Sequence, residues 1–184
     1  MRKSVRKGLE LLPAVLMAAA LFVSACERVQ AHSASDAYLT LSDDGTVAEG
    51  RRVIHGQWDV ALRDLDFVLK LDDDGDGRLT WGEVHRHQDA IERYAFEHLI
   101  VEEGSGERCT IKPVRGLIDA HADGAYMVLF FDAVCAAVPQ KLTLRYDLFF
   151  AIDPSHRAIV VLHNRSLVAT AVLSPQNPRL ELPR

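Results

Sequence analysis

Three aspartates at alternate positions lie inside the run Asp72-Asp73-Asp74-Gly75-Asp76-Gly77-Arg78-Leu79-Thr80-Trp81-Gly82-Glu83. Carboxylates spaced by two on a tight loop can converge on one hard cation, and Ca²⁺ asks for about six to eight oxygens. Asp72, Asp74 and Asp76 stand at loop positions 1, 3 and 5, and Gly77 at position 6 permits a sharp turn that a Cβ would block. Arg78 at position 7 contributes its backbone carbonyl, so its side chain is free to vary. Thr80 at position 9 binds directly or through water, and Glu83 at position 12 closes the site with two oxygens. Thr80 and Glu83 also form a capping-box pattern for a following helix. That pattern accounts for those two residues without a metal, but not for three alternating aspartates.

Such a loop needs a helix on each side. Phe67, Val68 and Leu71 give an apolar stripe to a short entering helix that Asp64 would cap, and Val84, Ile91, Ala95 and Leu99 give one to the exiting helix. The segment from about 64 to 99 therefore reads as helix, loop, helix: a single EF-hand. EF-hands pair through their loops, and the sequence holds no second intact one. Asp119-Ala120-His121-Ala122-Asp123-Gly124 begins correctly but has Phe130 where the closing acid belongs, so it reads as a hairpin turn. A lone loop, if the module is extracellular, implies an affinity on the order of 10⁻⁴ to 10⁻³ M, which suits structural calcium.

The rest of the chain alternates with a period of two, the mark of half-buried strands. Ile54, Gly56, Trp58, Val60 and Leu62 fall on one side, with His55, Gln57 and Asp59 on the other. The pattern returns at Asp36 to Leu41, at Tyr126, Val128 and Phe130, at Leu142 to Phe150, at Ala158 to His163 and at Leu167 to Leu173. Turn signals separate these stretches: Ser42 to Thr46, Asp123-Gly124, Pro139-Gln140, Asp153-Pro154 and Asn164-Arg165. Glu102 to Glu107, centred on Gly104-Ser105-Gly106, reads as a linker. The expectation is an α+β domain over residues 32–184: an antiparallel β-sandwich whose early strands pair with late ones, carrying the inserted helix-loop-helix.

Composition agrees with a folded domain. The chain has 184 residues, 48% apolar and 26% charged, with a formal charge of -5 and a pI near 5.9. An acidic balance excludes nucleic-acid binding, which needs concentrated Lys and Arg. Arg2, Lys3, Arg6 and Lys7 precede an uncharged run from Leu11 to Val23 that is too short to span a membrane needing about 20 residues. Residues 1–25 read as a signal peptide. Val23-Ser24-Ala25-Cys26 resembles a lipobox, which makes Cys26 the site of lipidation; ordinary cleavage after Ala31 is the alternative. Either way the product is extracytoplasmic, periplasmic or lipid-anchored to a bacterial membrane. Cys109 and Cys135 remain as an even pair, expected as a disulfide in an oxidising compartment, with two buried thiols as the alternative.

Other chemistry is less visible. His85 and His87 point about 200° apart around a helix, and His98, His121, His156 and His163 are scattered, so surface or locally bonded histidines are expected. No nucleophile elbow, zinc helix, phosphate loop or Cys-x-x-Cys pair occurs, and Asp153-Pro154-Ser155-His156 is first of all a turn. The chain does not read as an enzyme, and an unrecognised activity would have to reside in a cleft with convergent polar groups.

Ser35-Asp36-Ala37-Tyr38-Leu39, Trp58 through Asp66, Leu79-Thr80-Trp81-Gly82-Glu83 and Phe150 through Arg157 resemble the extracytoplasmic N-terminal region of HupE/UreJ-like membrane proteins. The likeness runs over nearly all of residues 32–175. It implies one domain with Cys109 and Cys135 paired. In that family a multi-helix membrane portion associated with nickel or cobalt follows; here the chain stops at Arg184, so the resemblance implies a stand-alone soluble module without inherited transport. The function expected is that of an exported calcium-binding protein. The alternative is a periplasmic accessory for nickel, cobalt or zinc uptake, acting with a separate membrane permease as partner.

Overall fold

From Asp36 to Asp43 alternate residues are buried as far as Leu41, and Ala37, Leu39 and Leu41 lose all contact with solvent. The computed structural model describes residues 35–136 and 141–182, and this stretch is its first strand, β1. After the Asp44–Thr46 turn come β2 (Val47–Ala48) and β3 (Arg51–Ala61), which buries Ile54, Trp58 and Val60 on the side of β1's buried row. Gly56 lies between them because a Cβ there would stand 2.2 Å from the Phe131 ring; the missing side chain is the space that ring fills.

Three helices follow: α1 (Leu62–Leu69), α2 (Trp81–Arg86) and α3 (Gln88–Glu97). Then come β4 (Leu99–Glu103), β5 (Thr110–His121), β6 (Gly124–Cys135), β7 (Leu142–Tyr146), β8 (Arg157–Asn164), β9 (Val168–Leu173) and β10 (Arg179–Leu182). The larger sheet runs β5-β6-β3-β1-β8-β9, with β2 paired to β3, and the smaller runs β10-β7-β4. Leu99, Val101, Leu144 and Tyr146 of the small sheet share one core with Leu39, Trp58, Leu129, Phe131 and Val160 of the large sheet, and with Leu65, Val84, Ile91 and Ala95 of the helices. Burying each Leu, Val, Ile or Phe among them contributes roughly 1.5–3 kcal/mol. The architecture is α+β, two open sheets with helices on a common core, as the sequence led one to expect.

Several expectations need correction. Early and late strands do pair, but β1 runs parallel to β8, Leu39 opposite Val160, so the sandwich is not wholly antiparallel. Tyr126, Val128 and Phe130 mark the outer face of β6, whereas Met127, Leu129, Phe131 and Ala133 enter the core; Tyr126 and Val128 are buried as well, which erases the alternation. Glu102 and Glu103 belong to β4, so only the turn beyond them is a linker. On α1 the buried face is Leu62 and Leu65, and Phe67 is 67% exposed beneath the Lys70 ammonium. The stripe on the exiting side is as expected for Val84, Ile91 and Ala95, all buried, but His87 divides that helix into α2 and α3, and Leu99, though buried, opens β4 and is not helical.

The turn at Asp119–Gly124 is a hairpin, with His121 opposite Gly124. Cys109 and Cys135 form a disulfide, S–S 2.04 Å, and such a bond points to an oxidising, extracytoplasmic compartment. Among the described residues no helix is long and apolar enough to cross a membrane. Residues 1–25, Cys26 and Pro139-Gln140 lie outside the described residues.

Candidate metal centre

Helix α1 stops at Lys70, whose left-handed backbone sends its N–H to the Asp66 carbonyl at 2.8 Å. The Asp66 carboxylate then accepts from the N–H groups of Leu71 at 2.7 Å and Asp72 at 3.1 Å, and Leu71 is fully buried. Asp66 therefore fixes how the chain enters the acidic loop. Asp64 is not the cap expected of it: Ala61 occupies the cap position without a side-chain bond, and Asp64 lies in the first turn.

Within the loop each aspartate folds the backbone around itself. Asp72 accepts from the N–H groups of Gly75 and Gly77, both at 2.8 Å. Asp74 accepts from Asp76 at 3.1 Å, and Asp76 from Arg78 at 2.8 Å. Gly77 sits at φ 79°, where a side chain would be strained, as its position in the sequence requires. One carboxylate oxygen from each of Asp72, Asp74 and Asp76 lies within 4.8 Å of the others.

Glu83 stands outside that group. It is 3% exposed, and its carboxylate accepts from the Thr80 N–H at 2.8 Å, the Thr80 hydroxyl at 2.7 Å and the Asp73 N–H at 3.1 Å. Its own N–H bonds the Thr80 hydroxyl at 3.3 Å, so the capping box at the start of α2 is formed. Of the six residues singled out in the sequence, three aspartates converge; Thr80 and Glu83 join each other beside them, and Arg78 is held by its N–H to Asp76.

The electrostatics follow this geometry. The Gly77 N–H first, with that of Gly75, holds Asp72 below the usual carboxylate range, and the Thr80 bonds do the same for Glu83. Asp74 is pulled down by the Asp76 N–H, but the charges of Asp76 and Glu83 and partial desolvation outweigh it and leave its carboxyl raised. Like charges crowded on an open loop are a condition that a divalent cation relieves. All the donors are hard oxygens, which fits Ca²⁺ or Mg²⁺ and not a soft metal. Asp73, the odd aspartate, faces away to Arg86 at 2.7 Å and His87 at 2.8 Å, tying the loop to the exiting helices.

Each described histidine that forms an ion pair takes its own aspartate. His55 bonds Asp132 at 2.7 Å and His98 bonds Asp147 at 2.7 Å, while His121 lies 3.3 Å from Asp59. His85 stacks on Trp81 and His87 turns to Asp73, so the two diverge as expected. Glu103 lies near both disulfide sulfurs, but cysteines bonded to each other offer no thiolate to a metal.

His156 was not legible as a buried residue. It is fully buried, with Nδ1 2.6 Å from the Ser35 hydroxyl and Nε2 2.7 Å from the Tyr146 hydroxyl, and Ser35 donates to Asp64 at 2.8 Å. With the ring neutral and the Asp64 carboxyl ionised, all three bonds are satisfied when Tyr146 donates to Nε2, Nδ1–H donates to Ser35, and Ser35 donates to Asp64. A cavity of about 230 Å³ opens over Ser35, Asp64 and Asp153, rimmed by Phe67, Phe149 and Ile152. The chain of bonds ties the residue before β1 to α1 and to Tyr146 of β7. Ser35 and His156 are 121 positions apart, and nothing in the sequence links them. No protein-family model matches this chain, and no curated protein is similar to it.

Proposed function

We propose that the loop Asp72–Glu83 binds Ca²⁺ in an exported protein and that the ion is structural. The observation that carries this reading is the convergence of Asp72, Asp74 and Asp76 on a loop whose turn depends on Gly77. These carboxylates, the Arg78 carbonyl, Thr80 and Glu83 would hold the ion, which would offset their mutual repulsion and fix α1 and α2 against the sheets. Asp66 and the capping box hold the two ends of the loop by hydrogen bonds of their own, which would lower the ordering cost of binding. The likeness to the soluble region of HupE/UreJ-like proteins and the lipobox at Cys26 belong to the same proposal: an extracytoplasmic module, lipid-anchored, able to meet a membrane partner. Among the described residues, the dispersed His–Asp pairs give the nickel, cobalt or zinc alternative no shared imidazole site.

Calorimetric titration of the metal-stripped protein with Ca²⁺, with Mg²⁺ and Ni²⁺ as controls, tests the proposal together with thermal melts. One Ca²⁺ site and a raised Tm are expected, and Glu83→Gln should weaken binding at least tenfold, a loss of about 1.4 kcal/mol. Unchanged affinity in Glu83→Gln would remove Glu83 from the ligand set, and tight Ni²⁺ binding without Ca²⁺ binding would overturn the reading.

A further inference from the structure

Strand β5 ends the larger sheet, so one row of its N–H and C=O groups faces outward. Natural edges are guarded by lysine, proline and bulges. Lys112, Pro113 and a register shift between Pro113 and Arg115 guard the first half of β5; from Arg115 to His121 no lysine, proline or register shift recurs, and the charged residues are one basic and one acidic, Arg115 and Asp119. His121 and Gly124 close a two-residue hairpin, and such a closing pair exchanges both hydrogen bonds. Counting back by twos, Asp119 and Leu117 bond inward to β6, while Ala120, Ile118 and Gly116 turn their backbone groups outward. Side chains alternate as well: Arg115, Leu117 and Asp119 are exposed on the face away from the core.

We propose that this edge pairs with β5 of a second copy of the chain, antiparallel, about a two-fold axis through Leu117. In that register Gly116 meets Ile118 of the second copy, and both carry the outward hydrogen-bonding groups the ladder needs. Arg115 falls opposite Asp119 of the second copy, twice by symmetry. Among the described residues neither has an ion-pair partner within its own chain: Arg115 lies over the Phe130 ring at 4.3 Å, and Asp119 accepts from its neighbour's N–H. Leu117 meets its own copy in the close, non-hydrogen-bonded position, where Cα atoms stand about 4.5 Å apart.

Charge selects this register. An axis at Asp119 sets that carboxylate against itself, and axes at Gly116 or Ile118 leave Arg115 opposite Leu117 or His121. Trp81, 67% exposed, lines a groove with Leu117 and Ile118 beside the edge, where an added strand would cover apolar surface. The opposite edge, β9, has no charged residue to set a register.

Cross-linking of the full-length protein tests the pairing. Under mild oxidation Leu117→Cys should give a disulfide-linked dimer on non-reducing gels, well above the background that wild type shows with its own cysteines. Ile118→Cys, which would face Gly116 and not itself, should not. By sedimentation, Arg115→Asp should weaken association by about tenfold through two like-charge pairs, and the swap Arg115→Asp/Asp119→Arg should restore it. The swap also separates lost pairing from lost folding. No excess dimer in Leu117→Cys, equal linking in Ile118→Cys, or a wild-type dimer untouched by Arg115→Asp would each overturn the proposal, the last by pointing to β9. The calcium reading stands apart from every one of these outcomes.

Discussion

Single residues carry much of what is specific to this chain, and His156 does so most plainly. Burial holds its ring down to about 4, against about 6.5 in an unfolded chain. Between those values the unfolded state binds a proton that the folded state refuses. Stability from this group is therefore fully present above about pH 6.5 and is lost as pH falls toward 4, by up to about 3 kcal/mol. Asp64, raised chiefly by burial, pulls the other way as it protonates, because the folded state then holds its proton more tightly. Urea unfolding of wild type and His156→Gln across this range should show the variant weaker at neutral pH but with a shallower acid slope. An equal slope in both would assign the acid sensitivity to another group. Gly77 and the three aspartates were legible because their spacing is local. His156 was not, because its burial depends on Ser35 and Tyr146, which only the tertiary fold brings to it.

Elements show the same division. The strand at Trp58 and the stripe from Val84 to Ala95 were legible because one face is wet and the other dry, so the period survives in the sequence. On β6 it does not survive: Tyr126 and Val128 are covered on the outer face as Met127 and Leu129 are on the inner, and a strand buried on both faces reads as a uniform apolar run. Phe67 misled for the opposite reason, as a large apolar side chain pointing into water. The start of α2 was read both as part of a calcium loop and as a capping box, and the box at least is formed. Thr80→Ala removes a hydroxyl that both accepts from the Glu83 N–H and donates to its carboxylate. In calcium-free urea titrations it should cost about 1 kcal/mol, with Thr80→Ser retaining most of that. A neutral Thr80→Ala would mean that the box adds nothing beyond what water supplies.

For the whole molecule, the α+β class and the pairing of early with late strands were legible, because alternation and turn signals recur along the chain. The direction of the β1–β8 pair was not, since a strand's own residues do not encode which way its neighbour runs. The disulfide joins the segment before β5 to the end of β6, across a separation of 26 residues. On the chain-entropy account, Cys109→Ser/Cys135→Ser should lower stability by about 3.5 kcal/mol in denaturant titrations, and a loss below about 1 kcal/mol would show that the hairpin needs no staple. The parallel pairing bears also on time. Strand β1 lies between β3 and β8, yet β8 is made more than a hundred residues later, so the middle of the larger sheet cannot close until nearly the whole chain exists. Contacts that distant in sequence slow folding, and the closure entropy falls due before the core repays it. A nascent chain with this topology keeps the β8 side of β1 unpaired through most of its synthesis, a condition that suits a polypeptide threading through a narrow pore before its sheet is complete.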